Sequence, residues 1–211
     1  MEFQKKLTKA CAFAALLFSA LPSASANVVT IGFDGIAAST ELTTPYTEEG
    51  FVSSGDNVYA DINQGNPAPE VQGIAALGGG ILRIASVMAG QTFHFLGMDI
   101  AHRDFQGNTH DVIVEGFLDS ALVASETFTT LANVGGALSP YSTITPTAGF
   151  LLNAVIDELR ITLPGLSSAD QFWYTRADNI QLSRIPEPVT LALFGLGMAG
   201  IFAARDKKLI A

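Results

Sequence analysis

Short apolar runs separated by turn residues fill the middle of the chain, and this pattern favours an all-β domain. The runs alternate with polar residues or are rich in β-branched side chains, as is typical of strands. No stretch of residues 27–185 shows a long apolar stripe with the period of a helix. The expected strands are residues 28–33, 80–87, 92–101, 111–117, 122–129, 154–163, 172–174 and 179–183.

The spacing of these runs predicts how the strands are arranged. In the second half of the domain they recur at intervals of about 8–12 residues, which favours a two-sheet β-sandwich with jelly-roll-like order. Residues 118–121 are expected to form a hairpin turn, and Gly97 is a suitable position for a bulge. Residues 37–50 and 54–78 are rich in Gly, Pro and Asn and are expected to be long loops.

Composition limits the chemistry of this domain. The only cysteine is Cys11, so residues 27–185 can form neither a disulfide nor a thiol nucleophile. They contain no lysine and five arginines against 17 acidic residues. A surface this acidic disfavours nucleic acid as a partner. It suits a soluble exported protein or one that binds cations.

The N-terminus has the organisation of a secretory signal peptide, predicted over residues 1–26. A lysine-containing stretch precedes the apolar residues 10–21, and Ala24 and Ala26 supply the small side chains of a cleavage site. Signal peptidase is therefore an expected partner. The mature chain is predicted to begin at Asn27.

The C-terminus, residues 186–211, has three parts in a fixed order. Two prolines end the preceding domain, because proline cannot continue a regular element. Residues 189–204 are uncharged and apolar; as a helix they would span about 24 Å, which is short for a bilayer core of about 30 Å. Basic residues at 205–208 follow and should stay on the cytoplasmic side, which places the domain outside. The motif residues are Pro186, Glu187, Pro188, Arg205, Lys207 and Lys208.

This ordered segment resembles the PEP-CTERM sorting segment of Gram-negative bacteria. The resemblance implies export through the inner membrane and recognition by an exosortase-like transpeptidase. The helix would anchor the protein in the membrane, transiently or permanently, before the protein reaches the cell surface or the medium. Such segments often occur in bacteria that make exopolysaccharide. An ordinary, uncleaved membrane anchor is the alternative interpretation.

Two short sequences near the ends of the domain resemble parts of jelly-roll carbohydrate-binding modules. They are Phe33-Asp34-Gly35 and Ala177-Asp178-Asn179-Ile180. The resemblance implies a structural calcium ion bound near the first and last strands, with Asp34, Asp178 and Asn179 as ligands. Calcium needs six to eight oxygen ligands, so backbone carbonyls would have to contribute. Alternatively, both aspartates are turn residues bonded to their own backbone.

A candidate ligand-binding site lies at Phe172-Trp173-Tyr174, which holds the only tryptophan. On a strand, Trp173 would face away from Tyr174, and one exposed ring could stack on a sugar. The alternative is that these aromatic side chains close the core.

The histidines and one pair of adjacent acidic residues were also considered as metal-binding or catalytic groups. His94, His102 and His110 match no zinc-binding spacing and are expected to be polar surface residues. Asp157 and Glu158 are neighbours on a predicted strand and would face opposite sides, so they cannot form the carboxylate pair of a glycosidase with each other.

The sequence therefore predicts a non-enzymatic cell-surface or extracellular-matrix protein that associates with exopolysaccharide. A calcium-stabilised carbohydrate-binding module is the alternative, and a secreted hydrolase is the third candidate. The expected partners are signal peptidase, an exosortase-like transpeptidase, the membrane and polysaccharide.

Overall fold

A computed structural model describes residues 27–37, 40–62, 72–103, 108–131, 141–147, 151–164 and 174–185. All of them belong to one compact unit, Asn27–Ile185. The predicted signal peptide, apolar C-terminal segment and basic tail lie outside the described residues. Within the described ranges, no helix is long and apolar enough to cross a membrane.

Ten strands and one short 3-10 turn make up the regular structure of the described residues. The strands are β1 (Val28–Ile31), β2 (Tyr46–Glu48), β3 (Phe51–Ile62), β4 (Gln72–Ser86), β5 (Phe93–Arg103), β6 (Asp111–Leu118), β7 (Ala121–Thr129), β8 (Ser142–Ile144), β9 (Glu158–Leu163) and β10 (Tyr174–Arg184). The 3-10 turn is Leu151–Asn153. The prediction of an all-β domain is confirmed.

The strands form one hydrogen-bonded sheet in the order β7-β6-β9-β4-β10-β5-β8, with β1 beside β10, β3 beside β4 and β2 beside β3. Strand β4 links the two halves of this sheet. Its residues 80–85 pair with β9, whereas its residues 74–77 pair with β10. Because β4 is continuous through both halves, hydrogen bonding does not divide the strands into two sheets. The predicted two-sheet sandwich with jelly-roll-like order therefore stays a prediction.

The core is built from the alternate side chains of these strands. In β9, Leu159, Ile161 and Leu163 are fully buried, while the residues between them are half-buried. Phe51 and Phe93 meet edge to face, with ring centroids 5.1 Å apart. Each fully buried side chain of this kind stabilises the fold by about 1.5–3 kcal/mol relative to exposure. Apolar burial thus stabilises a domain that cannot form disulfides.

The hairpin between β6 and β7 matches its prediction. Asp119 and Ser120 form the two-residue turn, and both have positive φ angles, 51° and 66°. A turn of this kind has the twist that two antiparallel strands require.

The prediction of long loops was wrong for the described parts of residues 54–78 and, within residues 37–50, for residues 46–48. Strand β2, most of β3 and the first part of β4 lie there. The inward positions of β3 include Ser53 and Gly55, which are buried. Because these positions are not apolar, the period-two pattern of a strand is hidden in the sequence.

Strand β10 also differs from its prediction, since one continuous strand replaces two short ones. Its ladder with β5 is irregular where Asp178 pairs with Asp99 and Gln181 pairs with Gly97. The extra residue therefore lies on β10, where Asn179 has a positive φ of 48°. At the next step Leu182 pairs with Phe95, so a second extra residue lies on β5 beside Gly97. The predicted bulge at Gly97 is therefore confirmed, and the sequence missed only the bulge on β10.

Candidate functional site

The predicted calcium ligands lie where the first and last strands meet. Strands β1 and β10 are antiparallel, with Ile31 opposite Ile180. This pairing brings the turn that contains Asp34 towards Asp178. The Asp178 side chain is only 2% exposed, and its Oδ1 accepts a hydrogen bond of 2.7 Å from the backbone N–H of Asn179.

Two further acidic residues, which were not selected from the sequence, lie near Asp178. Asp99 of β5 is the cross-strand partner of Asp178, and Glu48 ends β2. One Glu48 oxygen accepts hydrogen bonds from the backbone N–H groups of Gly32 at 3.2 Å and Phe33 at 3.0 Å. Glu48 thereby ties β2 to the end of β1. We call Asp34, Glu48, Asp99 and Asp178 the acidic cluster.

Asp99 itself is held by two donors. The side-chain amide of Asn179 donates to its Oδ2 at 2.9 Å, and the Thr143 hydroxyl donates to its Oδ1 at 2.6 Å. Asn179 therefore bridges two members of the acidic cluster, because its backbone N–H binds Asp178 while its side chain binds Asp99. The bulge on β10 makes this arrangement possible, since it turns Asn179 out of the regular ladder.

The environment of Asp178 changes its acidity. Burial raises its pKa from an ordinary 3.8 to about 7, and the negative charges of Asp34, Asp99 and Glu48 act in the same direction. The hydrogen bond from the Asn179 backbone opposes this rise in pKa. Near neutral pH the acidic cluster therefore holds a carboxyl group that readily accepts or releases a proton.

The donor atoms of the acidic cluster suit calcium better than zinc, because they are all carboxylate oxygens. However, in the described part of the chain no three His, Cys, Asp or Glu side chains are placed to hold one metal ion. A calcium ion at Asp178 would therefore need backbone carbonyls to supply much of its coordination shell.

The other residues selected from the sequence are only partly visible. Trp173 lies outside the described residues. Tyr174 begins β10, where its backbone pairs with Leu77 and Arg103, and its side chain is not described. The signal cleavage residues Ala24 and Ala26 also lie outside the described residues, as do all six residues of the sorting motif.

The structure places none of the three histidines on the exposed surface, since His110 is half-buried with its ring centroid 4.2 Å from that of His102. His94 is half-buried, with Nδ1 2.9 Å from the carbonyl oxygen of Ala154. His102 is buried at 1% exposure, and its Nδ1 lies 3.2 Å from the Thr175 hydroxyl. The expectation for His102 was wrong because β5 extends two residues beyond its predicted end.

A second polar surface lies on the outward side of β3, β4, β9 and β6. Along residues 79–85 of β4 and along β9, the outward residues are half-buried, whereas the residues between them are buried. One row across this side consists of Ser54, Arg83, Arg160 and Glu115, each the register partner of the next. We call the outward side of these four strands the arginine face.

Both arginines of this face have acidic partners. Arg160 binds Glu158 through Nε at 2.6 Å and through a terminal nitrogen at 3.3 Å, and its guanidinium lies 3.9 Å from the centroid of the Phe117 ring. Arg83 binds Asp56 at 2.7 Å and lies 4.0 Å from Glu158. The Arg160 guanidinium is therefore positioned before any ligand arrives, whereas Arg83 is oriented by a more exposed ion pair.

Two cavities, each of about 360 Å³, lie at opposite ends of the arginine face. The first is bounded by the end of β4, the loop before β5 and the β6–β7 turn, and its lining includes Ala85, Ser86, Met88, Gln91, Asp119 and Glu158. The second is bounded by the bulge in β3 and the ends of β4 and β9, and its lining includes Asp56, Asn57, Gly79, Ile81, Thr162 and Pro164. Their volume is within the range of about 300–1,000 Å³ typical of small-molecule sites.

Sequence reasoning missed this surface because its parts are distant along the chain. Arg83 and Arg160 become neighbours only through the pairing of β4 with β9. One local pattern does indicate this surface. Polar and apolar residues alternate over 158–163, which places Glu158 and Arg160 on the same side of a strand.

Comparison with known proteins identifies the C-terminal segment. Residues 184–208 match the family described as "PEP-CTERM protein-sorting motif". The chain therefore carries this sorting motif, as its sequence predicted, and the match begins two residues earlier, at Arg184. The motif implies export and a location at the cell surface or in the membrane. Among curated proteins, no sequence matches the chain significantly.

Solved structures similar to this chain include carbohydrate-binding modules. The CBM22-1 xylan-binding domain of Xyn10C from Paenibacillus barcinonensis is 9% identical, with a TM-score of 0.39 over 79% of this chain and all of that domain. The family 11 carbohydrate-binding module from Clostridium thermocellum is 12% identical, with a TM-score of 0.35 over 76% of this chain and 96% of that module. The agarase AgWH50C is 12% identical, with a TM-score of 0.41 over 75% of this chain but only 25% of the agarase.

Proposed function

We propose that this chain is an exported, non-enzymatic cell-surface or matrix protein that associates with exopolysaccharide through its arginine face. The sorting motif supports export. The observation that carries the binding proposal is the arginine face itself, in which two neighbouring guanidinium groups, that of Arg160 held by Glu158 and Phe117, lie between two cavities on one side of the sheet.

The fixed geometry of this face favours recognition of sugars. A guanidinium group presents several N–H donors in one plane, which suits pairs of neighbouring hydroxyl oxygens. The carboxylates of Asp56 and Glu158 supply acceptors beside these donors. Binding usually costs about 0.5–1.5 kcal/mol for each flexible side chain that becomes ordered. Arg160 avoids much of that loss, since Glu158 and the Phe117 ring already hold it.

The geometry favours binding over hydrolysis. A glycosidase needs a general acid with a raised pKa that reaches the scissile bond. Asp178 has the raised pKa, but at 2% exposure a polymer cannot reach it. Asp157 and Glu158 both line the first cavity, because Asp157 precedes β9, so the expectation that they face opposite sides was wrong. Each already has a partner, since Glu158 binds Arg160 and Asp157 accepts a hydrogen bond of 2.9 Å from the backbone N–H of Asp119. At the second cavity, Asp56 binds Arg83.

Substitution of Arg160 tests this proposal. The full-length protein would be incubated with a panel of polysaccharides, and the bound fraction would be measured by co-sedimentation and by glycan array. Arg160→Ala should lower the affinity by at least about tenfold, as expected for the loss of roughly 1.4 kcal/mol of contacts. Thr30→Ala, at an exposed position of β1, is the matched control. Equal binding by both variants, or no binding by the unchanged protein, would refute the proposal.

Calcium stabilisation of the β1–β10 junction is a second proposal, favoured by the all-oxygen donor set around the buried Asp178 carboxylate. Calcium binding should raise the melting temperature of the unchanged protein at pH 8. Asp178→Asn should abolish this response, and magnesium should not reproduce it because it requires a tighter octahedral shell. A titration in which calcium produces neither heat nor a change in melting temperature would rule this site out.

Processing by an exosortase-like enzyme is the third element of the proposal. Mass spectrometry of the protein recovered from its host should show a mature C-terminus near Pro186-Glu187-Pro188. Recovery of chains that still end at Ala211 would favour the uncleaved anchor instead.

A further inference from the structure

We infer that the ligand of the arginine face is an uncharged, linear polysaccharide that lies along β4 and β9 and enters both cavities. This inference rests on the proposed function, because it specifies which polysaccharide that surface accepts and in which direction the polysaccharide runs.

The direction follows from the register of β4 and β9. Ala85 pairs with Glu158 at the first cavity, and Ile81 pairs with Thr162 at the second. These two pairs are four residues apart along the same strands, which corresponds to about 14 Å. The line that joins the cavities therefore follows the strands.

Its length indicates the size of the ligand. A single sugar could fill one cavity, but only an oligosaccharide or a longer chain could occupy both and cross the space between them. Arg83 and Arg160 form the pair that lies midway between the two cavities. A chain in both cavities must therefore pass over these two guanidinium groups.

The charge of this face argues against an anionic chain. Both arginines already bind carboxylates, namely Asp56 and Glu158. Glu115 lies beside Arg160, and Asp119 and Asp157 stand at the first cavity. The carboxylates thus outnumber the guanidinium groups, so a polyanion would meet net repulsion. Sugar hydroxyls can instead donate to the carboxylates and accept from the arginines without separating the existing pairs.

The hydrogen-bonding groups at the two cavities also suit an uncharged ligand. At the first cavity, the Ser86 hydroxyl and the Gln91 side chain, 2.7 Å apart, are uncharged hydrogen-bonding groups. At the second, the corresponding groups are Asn57 and Thr162, next to the apolar Ile81. Alternating hydroxyl and C–H surfaces of a sugar suit this mixture of polar and apolar groups.

Calorimetry with oligosaccharides of increasing length tests this inference on the full-length protein. The probes are neutral disaccharides, tetrasaccharides and hexasaccharides of the cello, xylo, laminari and agaro series. Oligogalacturonates serve as anionic probes, and chitosan oligomers serve as cationic ones. In at least one neutral series, affinity should rise by about tenfold or more from the disaccharide to the hexasaccharide, whereas oligogalacturonates should bind at least tenfold more weakly.

Blocking variants locate the chain. Ala85→Trp obstructs the first cavity and Thr162→Trp the second, while Thr30→Trp places the same side chain on β1 as a control. Each blocking variant should lower hexasaccharide affinity by about tenfold or more, and the control should not. Circular dichroism and the melting temperature of each variant would show that it is folded. If Ala85→Trp does not fold, Ser86→Phe at the rim of the same cavity replaces it.

The outcomes separate this inference from the proposed function. If no polysaccharide binds, both are wrong. If polysaccharide binds and Arg160→Ala lowers its affinity, the proposed function stands. The two-cavity inference is nevertheless overturned if affinity does not depend on chain length, or if only one of the two blocking variants lowers it. Stronger binding of oligogalacturonates or chitosan oligomers than of every neutral series would overturn the assignment of an uncharged ligand.

Discussion

Replacement of Asp178 by asparagine should stabilise the protein at alkaline pH and change little at acidic pH. Asparagine has nearly the same shape, and its side-chain oxygen can still accept the hydrogen bond from the backbone of Asn179. The substitution removes only the charge. It therefore isolates the effect of ionising a buried carboxyl group that faces Asp34, Glu48 and Asp99.

The sign and size of the effect follow from the two pKa values of Asp178. In the folded protein its pKa is about 7, against an ordinary 3.8. The folded state therefore binds the proton more tightly, and this contribution to stability is complete below pH 3.8 and is lost as the pH rises through 7. The total loss is about 4 kcal/mol, at roughly 1.4 kcal/mol per pKa unit. About 3 kcal/mol of it should be lost between pH 5 and pH 8.

The assay is urea denaturation of the unchanged protein and of Asp178→Asn at pH 5, 6, 7 and 8, with a chelator present to exclude metal effects. The difference in unfolding free energy between the two proteins should grow with pH by about 3 kcal/mol, which corresponds to a melting-temperature difference of roughly 5–10 °C. Comparing the two proteins cancels the titration of the other acidic groups. Parallel stability profiles from pH 5 to pH 8 would refute the reasoning, as would greater stability of the unchanged protein at pH 8.

Three other substitutions test the packing and the turns, each by urea denaturation. Gly116→Ala should destabilise the domain by about 1–3 kcal/mol, because the new Cβ would lie 2.6 Å from a methyl carbon of the buried Ile156; an unchanged midpoint would show that this contact relaxes freely. Phe93→Ala should cost about 3–5 kcal/mol through loss of its edge-to-face contact with Phe51 and the resulting cavity, and a loss below 1 kcal/mol would contradict the assigned core. Ser120→Gly should stabilise the hairpin by about 1 kcal/mol, since Ser120 has a φ of 66°; destabilisation would contradict the left-handed turn.

The sequence predicts the parts of this fold that depend on local signals. The β6–β7 hairpin is evident because two alternating runs flank the turn residues Asp119-Ser120, and aspartate tolerates positive φ. Strand β3 is not evident, because Ser53 and Gly55 occupy its buried positions. The strand forms there because β4 supplies a long partner with matching register, and that pairing is a tertiary effect.

The same distinction applies to the candidate sites. The proximity of Asp34 to Asp178 could be expected, because first and last strands often pair. The contribution of Asp99 could not, because it depends on β5 lying against β10 with a bulge between them. Arg83 and Arg160 likewise meet only through the register of β4 and β9. Long-range register determines which charges become neighbours, and a single sequence does not encode it in any local pattern.

The position of β10 has a mechanical consequence for a protein whose sorting motif follows directly. Regular pairing continues to the last described residue, since the backbone N–H of Arg184 binds Asn27 and that of Ile185 binds Thr92. Strand β10 is interior, with β5 on one side and β4 and β1 on the other. A pull on the residues after Ile185, directed along the strand, would load these hydrogen bonds in shear, so many must break together. An edge strand would instead peel away one bond at a time. The domain is thus built to resist tension applied through its C-terminus.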